Sequence, residues 1–162
     1  MVPTLICDEK ILVESSLILE FLEDKFPEKS ARSNIPEEIH QMRLWMKTID
    51  AYHIHGGSIT YGIGVRNILI LEPKDELDKE IDEIPDLEKR ENRRDLIENG
   101  LEAKCVIEGL KQSKILMDKL ELGLKDREWF SGSKFGLADA SIFPYVLSCL
   151  LYTSPSPRDS LE

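Results

Sequence analysis

Residues 2–16 read VPTLICDEKILVESS, and the class of the fold follows from this pattern. Residues 2–7 and 11–13 are short runs of apolar, mostly β-favouring side chains. The polar residues 8–10 between them suit a tight turn. Two such runs around a polar turn are typical of a β-hairpin, so the sequence predicts a hairpin in this segment.

A helix is expected directly after the hairpin. Ser15 or Ser16 can act as its N-cap, and Pro27 ends it because proline disfavours a helical conformation in the residue before it. Apolar side chains recur at helical spacing between these limits, at Leu17, Ile18, Phe21, Leu22 and Phe26. The hairpin and this helix together form the first predicted structural region, residues 1–27.

A long helix is predicted after a polar, proline-bounded linker over residues 28–35. This helix begins near Pro36, because proline suits the first helical turn. Its apolar stripe consists of Ile39, Met42, Met46 and Ile49. The pair Gly56-Gly57 is expected to weaken or bend the helix, whose pattern then continues to about Leu71.

The remaining sequence predicts two more helices and an acidic segment. Residues 72–98 carry twelve acids against six bases, and we expect a solvated loop there, followed by the charged start of a helix. Apolar residues at helical spacing predict a helix over residues 103–124. A last, largely buried helix is expected to start near Leu137.

Composition limits the class of protein. The 162 residues carry a net charge of −10, which argues against binding to a phosphate backbone, because nucleic-acid binders carry basic patches. We expect no membrane span, since no stretch of about 18 apolar residues occurs, and no signal peptide. Cys7, Cys105 and Cys149 fit neither a disulfide framework nor a zinc pattern. A cytoplasmic location is expected.

Separated segments of the chain resemble glutathione S-transferases. Residues 2–5, 11–15 and 18–27 are similar to the third strand, fourth strand and third helix of that family. Residues 129–132 (WFSG) and 135–141 (FGLADAS) resemble the segment that opens the central buried helix of its C-terminal domain. The resemblance covers roughly residues 1–148. It implies an α+β fragment plus an all-α region: the C-terminal part of a thioredoxin-like domain, then an all-helical C-terminal domain over residues 36–148.

The resemblance implies a glutathione site built from four residues of the first region. Val2 would pair its backbone with the cysteinyl unit of glutathione, beside a proline, Pro3, that is cis in the family. Ser15 would bind the γ-glutamyl carboxylate at a helix N-terminus, which attracts anions, and Glu14 would bind the ammonium group. Read alone, Glu14-Ser15 is more often an ordinary helix cap beside a solvated acid, but Val2-Pro3 upstream at the family spacing favours the glutathione site.

A structural role is implied for Gly136 and Asp139. In the family, a Ser or Thr caps the buried helix and an Asp three residues later reaches back to its N–H, which forms a capping box. Here glycine occupies the cap position and provides no side-chain oxygen. We therefore expect half of the box to be absent and the helix start to be weaker, by at most about 1 kcal/mol.

The middle of the chain resembles transferases related to the bacterial β-etherases, which cleave aryl ethers with glutathione thiolate. The matching residues are Met42, Arg43, Leu44, Trp45, Asp50, His53 and Thr60. Trp45 and Tyr52 either line the pocket for the second substrate or pack, and we favour packing. No metal site is expected, because His53 and His55 point in different directions on a helix.

The resemblance also implies what this sequence lacks. The family's first two strands and first helix, which carry the residue that activates the glutathione thiol, have no match here, so we expect this chain to be inactive by itself. Residues 149–159 resemble a translated sequencing-library adapter. We therefore expect residues 149–162 to be non-native; the alternative is a Ser/Pro-rich disordered tail.

The implied function is glutathione thiolate transfer to a small hydrophobic electrophile, by conjugation or aryl-ether cleavage, in a parent protein expected to be a homodimer. Glutathione is a co-substrate, and no cofactor is expected. The alternative is a non-catalytic transferase-like interaction module. The pair Glu14-Ser15 favours the enzyme, because a scaffold has no need of it.

Overall fold

The structure, a computed structural model, describes residues 3–153 and is mostly helical, with one two-stranded antiparallel sheet in that range. The strands are β1 (Thr4–Cys7) and β2 (Lys10–Val13). The helices are α1 (Ser15–Lys25), α2 (Pro36–Thr60), α3 (Arg66–Leu69), α4 (Lys74–Asp82), α5 (Leu87–Asn99), α6 (Lys104–Gly123) and α7 (Leu137–Thr153).

The predicted hairpin is present. Its strands pair with Thr4 opposite Val13, and the two-residue turn places Asp8 and Glu9 at φ of 49° and 64°. Both residues have the left-handed backbone conformation that is found in two-residue hairpin turns, because the twist of such turns matches the twist of the paired strands. The second strand begins at Lys10, one residue earlier than predicted.

Helix α1 follows the hairpin as predicted, but the predicted serine cap is wrong. Glu14 occupies the N-cap position and makes no side-chain capping hydrogen bond. Ser15 and Ser16 are already the first two helical residues, and the Ser16 hydroxyl donates instead to the Asp50 carboxylate at 2.9 Å. A tertiary hydrogen bond has therefore replaced the expected local one.

Helix α2 begins at Pro36, as predicted, but it is not interrupted at Gly56-Gly57. A glycine inside a helix costs only about 1 kcal/mol, which the packing of the apolar stripe offsets. The irregularity lies one turn later, where Tyr61–Val65 form a π-helical turn before α3.

The expectation of a loop in the acidic segment is wrong, since α4 occupies residues 74–82 and α5 occupies residues 87–99. Helix α4 is short and polar, and its two buried side chains are Leu77 and Ile81, one helical turn apart. Two apolar residues among many acids gave too weak a periodic signal. Tertiary burial of that pair accounts for the helix.

The chain divides into two compact units. The first contains the residues up to Ala51 and those from Lys119 onward, and its buried side chains include Met42, Trp45, Met46, Ile49, Leu120, Phe130, Leu137 and Ile142. The second contains Tyr52–Asp118, where Leu96, Ala103 and Val106 form a buried cluster. The domain limits expected from the resemblance remain predictions.

The C-terminal segment expected to be non-native lies mostly outside the described residues. Helix α7 continues to Thr153, and residues 154–162 are not described. None of the helices described over residues 3–153 is long and apolar enough to cross a bilayer.

Candidate functional site

The junction between β2 and α1 brings together three of the four residues implied for glutathione. Because Thr4 pairs with Val13, the next residue outward on each side is Pro3 and Glu14. Both therefore lie at the end of the hairpin where α1 begins, beside Ser15. Pro3, Glu14 and Ser15 are all exposed, and Val2 lies outside the described residues.

Glu14 has an unusual backbone conformation. Its φ is 69° and its ψ is 109°, a combination that a residue with a Cβ rarely adopts. Such a residue costs about 1–3 kcal/mol and persists only where the surroundings hold it, often at functional sites. This backbone directs the chain from β2 straight into α1 and leaves the Glu14 carboxylate exposed.

The N-terminus of α1 offers free hydrogen-bond donors. The first intrahelical bond runs from Ile18 N–H to the Glu14 carbonyl at 2.9 Å. The N–H groups of residues 15–17 therefore precede the helical ladder, and no side chain caps them. Together with the exposed Ser15 hydroxyl and the positive end of the helix dipole, they form a surface that suits a carboxylate.

Side-chain contacts fix α1 against α2 within the first unit. Ser16 bonds to Asp50, and one turn later Glu20 accepts from Arg43 Nε at 2.7 Å and Nη2 at 2.9 Å. Arg32 Nη1 also donates to Glu20, at 2.9 Å. The Arg43 guanidinium, followed by that of Arg32, lowers the pKa of Glu20 despite its partial burial. The carboxylate therefore stays ionised and holds the helix.

Glu23 organises the segment after α1. Its buried carboxylate accepts from the Ser30 hydroxyl and from the backbone N–H groups of Ala31 and Arg32, at 2.5, 3.0 and 3.1 Å. Burial alone would raise its pKa, but these hydrogen bonds lower it overall. A single charged side chain thus fixes the path of residues predicted only as a linker.

Asp139 joins the turn before α7 to the start of that helix. Its carboxylate accepts from the backbone N–H groups of Phe130, Ser131 and Gly136, at 2.8, 3.2 and 3.0 Å. The last of these bonds is the expected contact from the third helical residue back to the cap. Asp139 is buried, so the three bonds are shielded from water.

The missing half of the capping box is replaced by Ser131. Its hydroxyl accepts from Ala138 N–H at 3.0 Å, as a serine at the cap position would. The expectation of a helix start lacking this bond is therefore wrong. A Cβ at Gly136 would lie 2.7 Å from both the Ala31 carbonyl oxygen and Ser131 Cβ. Glycine is required there so that Ser131 can approach.

Trp45 and Tyr52 are both buried, as favoured from the sequence. The Trp45 ring packs edge-on against Phe130, with centroids 4.8 Å apart, and it leaves no room for a side chain at Gly123. The Tyr52 hydroxyl bonds to Ser113 in the second unit. Both residues therefore contribute to packing.

Several of these contacts had no signal in the sequence. Glu20 and Arg43 are 23 positions apart, and Ser16 and Asp50 are 34 apart. The neighbouring sequence of each residue does not distinguish such a pair from polar side chains that face solvent. Ser131 offered one clue, since it lies five residues before a cap position that lacks an oxygen. Among residues 3–153, no group of three or more potential metal ligands is found.

Comparison with known proteins identifies a homologue. Protein LigF of Sphingobium sp. (strain NBRC 103272 / SYK-6) is 28% identical over 145 residues, which are 88% of this chain and 56% of LigF. The crystal structure of the β-etherase LigF from strain SYK-6 matches with a TM-score of 0.81 and 26% identity, covering 98% of this chain and 65% of the LigF chain. No protein-family model matches.

Sequence and structure thus agree that the chain is homologous to LigF, a β-etherase of the glutathione S-transferase family. The predicted resemblance is confirmed at that level. The chain spans little more than half of the length of LigF.

Proposed function

We propose that this chain carries the γ-glutamyl part of a glutathione site and the helical region of a glutathione-dependent transferase that cleaves ethers. The observation that carries the proposal is the junction at Glu14-Ser15. A strained residue with an exposed carboxylate stands there beside an uncapped helix N-terminus. Homology to a β-etherase supports the reaction class. Activity is proposed for a protein that contains this chain, since the chain spans only part of LigF.

The chemistry of the junction suits an α-amino acid group. The γ-glutamyl end of glutathione carries one carboxylate and one ammonium. The N–H groups of residues 15–17 and the Ser15 hydroxyl would donate to the carboxylate, and Glu14 would accept from the ammonium. Charge-assisted hydrogen bonds of this kind are stronger than neutral ones. The ordering already provided by α2 through Ser16 and Glu20 would reduce the cost of binding.

The proposed reaction rests on the homology to a β-etherase. The thiolate sulfur of bound glutathione attacks the carbon that bears an aryl ether. A carbon–sulfur bond forms as the carbon–oxygen bond breaks, and the aryl oxygen leaves as phenolate, which then takes a proton from water. The role of Glu14 and Ser15 is to hold the tripeptide, so that its sulfur is presented in one position.

Binding is tested by titrating the chain with glutathione up to millimolar concentration and following backbone amide NMR shifts. We expect the shifts to concentrate at residues 13–18. Glu14→Gln and Ser15→Ala should each weaken binding about threefold or more, because the first removes the charge that pairs with the ammonium and the second removes a hydrogen bond to the carboxylate.

The matched control is Glu9→Gln, which alters an exposed acid at the opposite end of the same hairpin and should leave binding unchanged. Shifts located elsewhere, or equal affinity in all three variants, would show that the glutathione site has been assigned to the wrong residues. Absence of any response would favour a transferase-like module that does not bind glutathione.

A further inference from the structure

Asp50 ties the first turn of α1 to α2, beside the junction proposed for glutathione. The Ser16 hydroxyl donates to Asp50 Oδ2 at 2.9 Å, across 34 positions of the chain. Ser16 is the second residue of α1 and directly follows Ser15. The bond therefore acts on the same turn whose free N–H groups and hydroxyl would hold the γ-glutamyl carboxylate.

Asp50 stands on a rigid part of α2. Met46 and Ile49, which precede it on that helix, are both buried, so the packing of the core fixes the backbone that carries Asp50. Ser16 has a short side chain, and a hydrogen bond to its oxygen therefore also restrains the backbone of the first turn. Groups that bind a ligand are held most accurately when rigid elements support them.

A second contact between α1 and α2 acts one turn later and is less restrictive. Glu20 accepts from Arg43 and from Arg32, and each of these long side chains has several rotatable bonds. They hold the body of α1 but allow small movements of its first turn. Loss of the Asp50 contact should therefore loosen that turn without detaching the helix.

The backbone of Glu14 makes this restraint important. Its φ is 69°, a conformation that persists only where the surroundings hold it. The Glu14 carbonyl also accepts the first helical hydrogen bond, from Ile18 N–H at 2.9 Å. Ser16 lies between these two residues in the chain, so a restraint on Ser16 acts on both ends of the turn.

We propose that Asp50 is a positioning residue for glutathione. Through Ser16 it holds the first turn of α1, and with it the N–H groups of residues 15–17, in the arrangement that receives the γ-glutamyl carboxylate. This inference rests on the function proposed above. A turn that is ordered beforehand lowers the cost of binding. Position 50 must supply an oxygen that accepts a hydrogen bond, so an amide oxygen should serve nearly as well as a carboxylate.

The proposal is tested by titrating glutathione into variants of the chain and following backbone amide NMR shifts. Asp50→Ala and Ser16→Ala should each weaken binding about threefold, the effect of losing one hydrogen bond. The double variant should bind no more weakly than either single variant, because both substitutions remove the same bond. Asp50→Asn keeps an acceptor oxygen and should bind within about twofold of the unsubstituted chain.

Two measurements without ligand separate positioning from a general loss of stability. In Asp50→Ala, the Ile18 amide should exchange with solvent at least about threefold faster, because its acceptor Glu14 is less firmly held. The urea midpoint should change little, since Glu20 still holds α1. Glu37→Ala is the matched control, because it removes an exposed acid from the first turn of α2, about 20 Å along that helix from Asp50. It should change neither binding nor exchange.

The outcomes distinguish this inference from the proposed function. If Asp50→Asn binds as weakly as Asp50→Ala, the charge of Asp50 acts on the ligand directly and the positioning role is wrong. Unchanged binding or unchanged Ile18 exchange in Asp50→Ala, additive losses in the double variant, or a loss of binding accompanied by a lower urea midpoint would also overturn it. If the unsubstituted chain does not respond to glutathione, the proposed function fails and this inference fails with it.

Discussion

At the residue scale, Asp139 supports the turn before α7 through three backbone hydrogen bonds. It satisfies the backbone N–H groups of Phe130, Ser131 and Gly136 while it is itself buried. Three donors that would otherwise lack partners depend on one carboxylate. Unpaired buried donors are costly, so this residue sets the stability of the turn and of the start of α7 together.

We expect Asp139→Ala to lower the free energy of unfolding by about 3 kcal/mol, because buried N–H groups lose a charged acceptor. Urea denaturation followed by circular dichroism measures this change as a lower midpoint. Asp126→Ala is the control, since Asp126 is exposed in the turn after α6 and should change stability by less than about 0.5 kcal/mol. A similar midpoint in both variants would contradict the role given to Asp139.

At the scale of elements, the hairpin buries little apolar surface. It has two strands of four residues, and Ile6 and Ile11, which pair across it, are each 70% exposed. A hairpin of two strands is marginally stable in water. Helix α6, by contrast, buries Val106, Leu116 and Leu120.

Hydrogen exchange should reflect that difference. We expect the amides of residues 4–13 to exchange at least about tenfold faster than those of residues 106–116, because local opening of the hairpin exposes little apolar surface. Exchange measured by NMR or mass spectrometry at neutral pH provides the comparison. Equal protection of the two segments would mean that the hairpin is stabilised by contacts beyond those described.

At the scale of the whole molecule, charge both stabilises and limits the fold. The chain carries a net charge of −10, which opposes compaction through self-repulsion. Within the first unit, however, Glu20 and Glu23 have pKa values lowered on folding by their partners. These carboxylates favour the folded state as long as they are ionised.

Stability should therefore fall in acid. A carboxylate whose pKa is lowered on folding contributes its full stabilisation above its unfolded pKa, near 4.5 for glutamate, and loses it as the pH falls through the folded value. We expect the urea midpoint to fall as the pH is lowered from 5 to 3. The Glu20→Gln variant should be less stable than the unsubstituted chain at pH 7, and it should lose less stability on acidification.

The control for this prediction is Glu28→Gln, which removes an exposed carboxylate that forms no ion pair in the described residues. Its urea midpoint should change with pH in the same way as that of the unsubstituted chain. If the urea midpoint of Glu20→Gln also changes with pH as that of the unsubstituted chain does, the contacts of Glu20 with Arg43 and Arg32 do not stabilise the fold.

The sequence by itself determined those elements whose signals are local. The hairpin, the starts of α2 and α7 and the body of α6 were predicted because apolar spacing, prolines and turn residues act on their own neighbours. The same local reasoning failed for α4. Its helix depends on burial of Leu77 and Ile81, a property of the folded chain that two side chains in an acidic stretch cannot reveal.

The tertiary structure alone decided how the candidate site is held. Glu14 and Ser15 were identified from the sequence, but the backbone strain at Glu14 and the bond from Ser16 to Asp50 were not. Likewise, the sequence did not reveal that Ser131 supplies the capping hydroxyl that Gly136 lacks. The physical reason is that hydrogen bonds between distant residues form only when the chain has folded, and sequence periodicity carries no record of which side chains then meet.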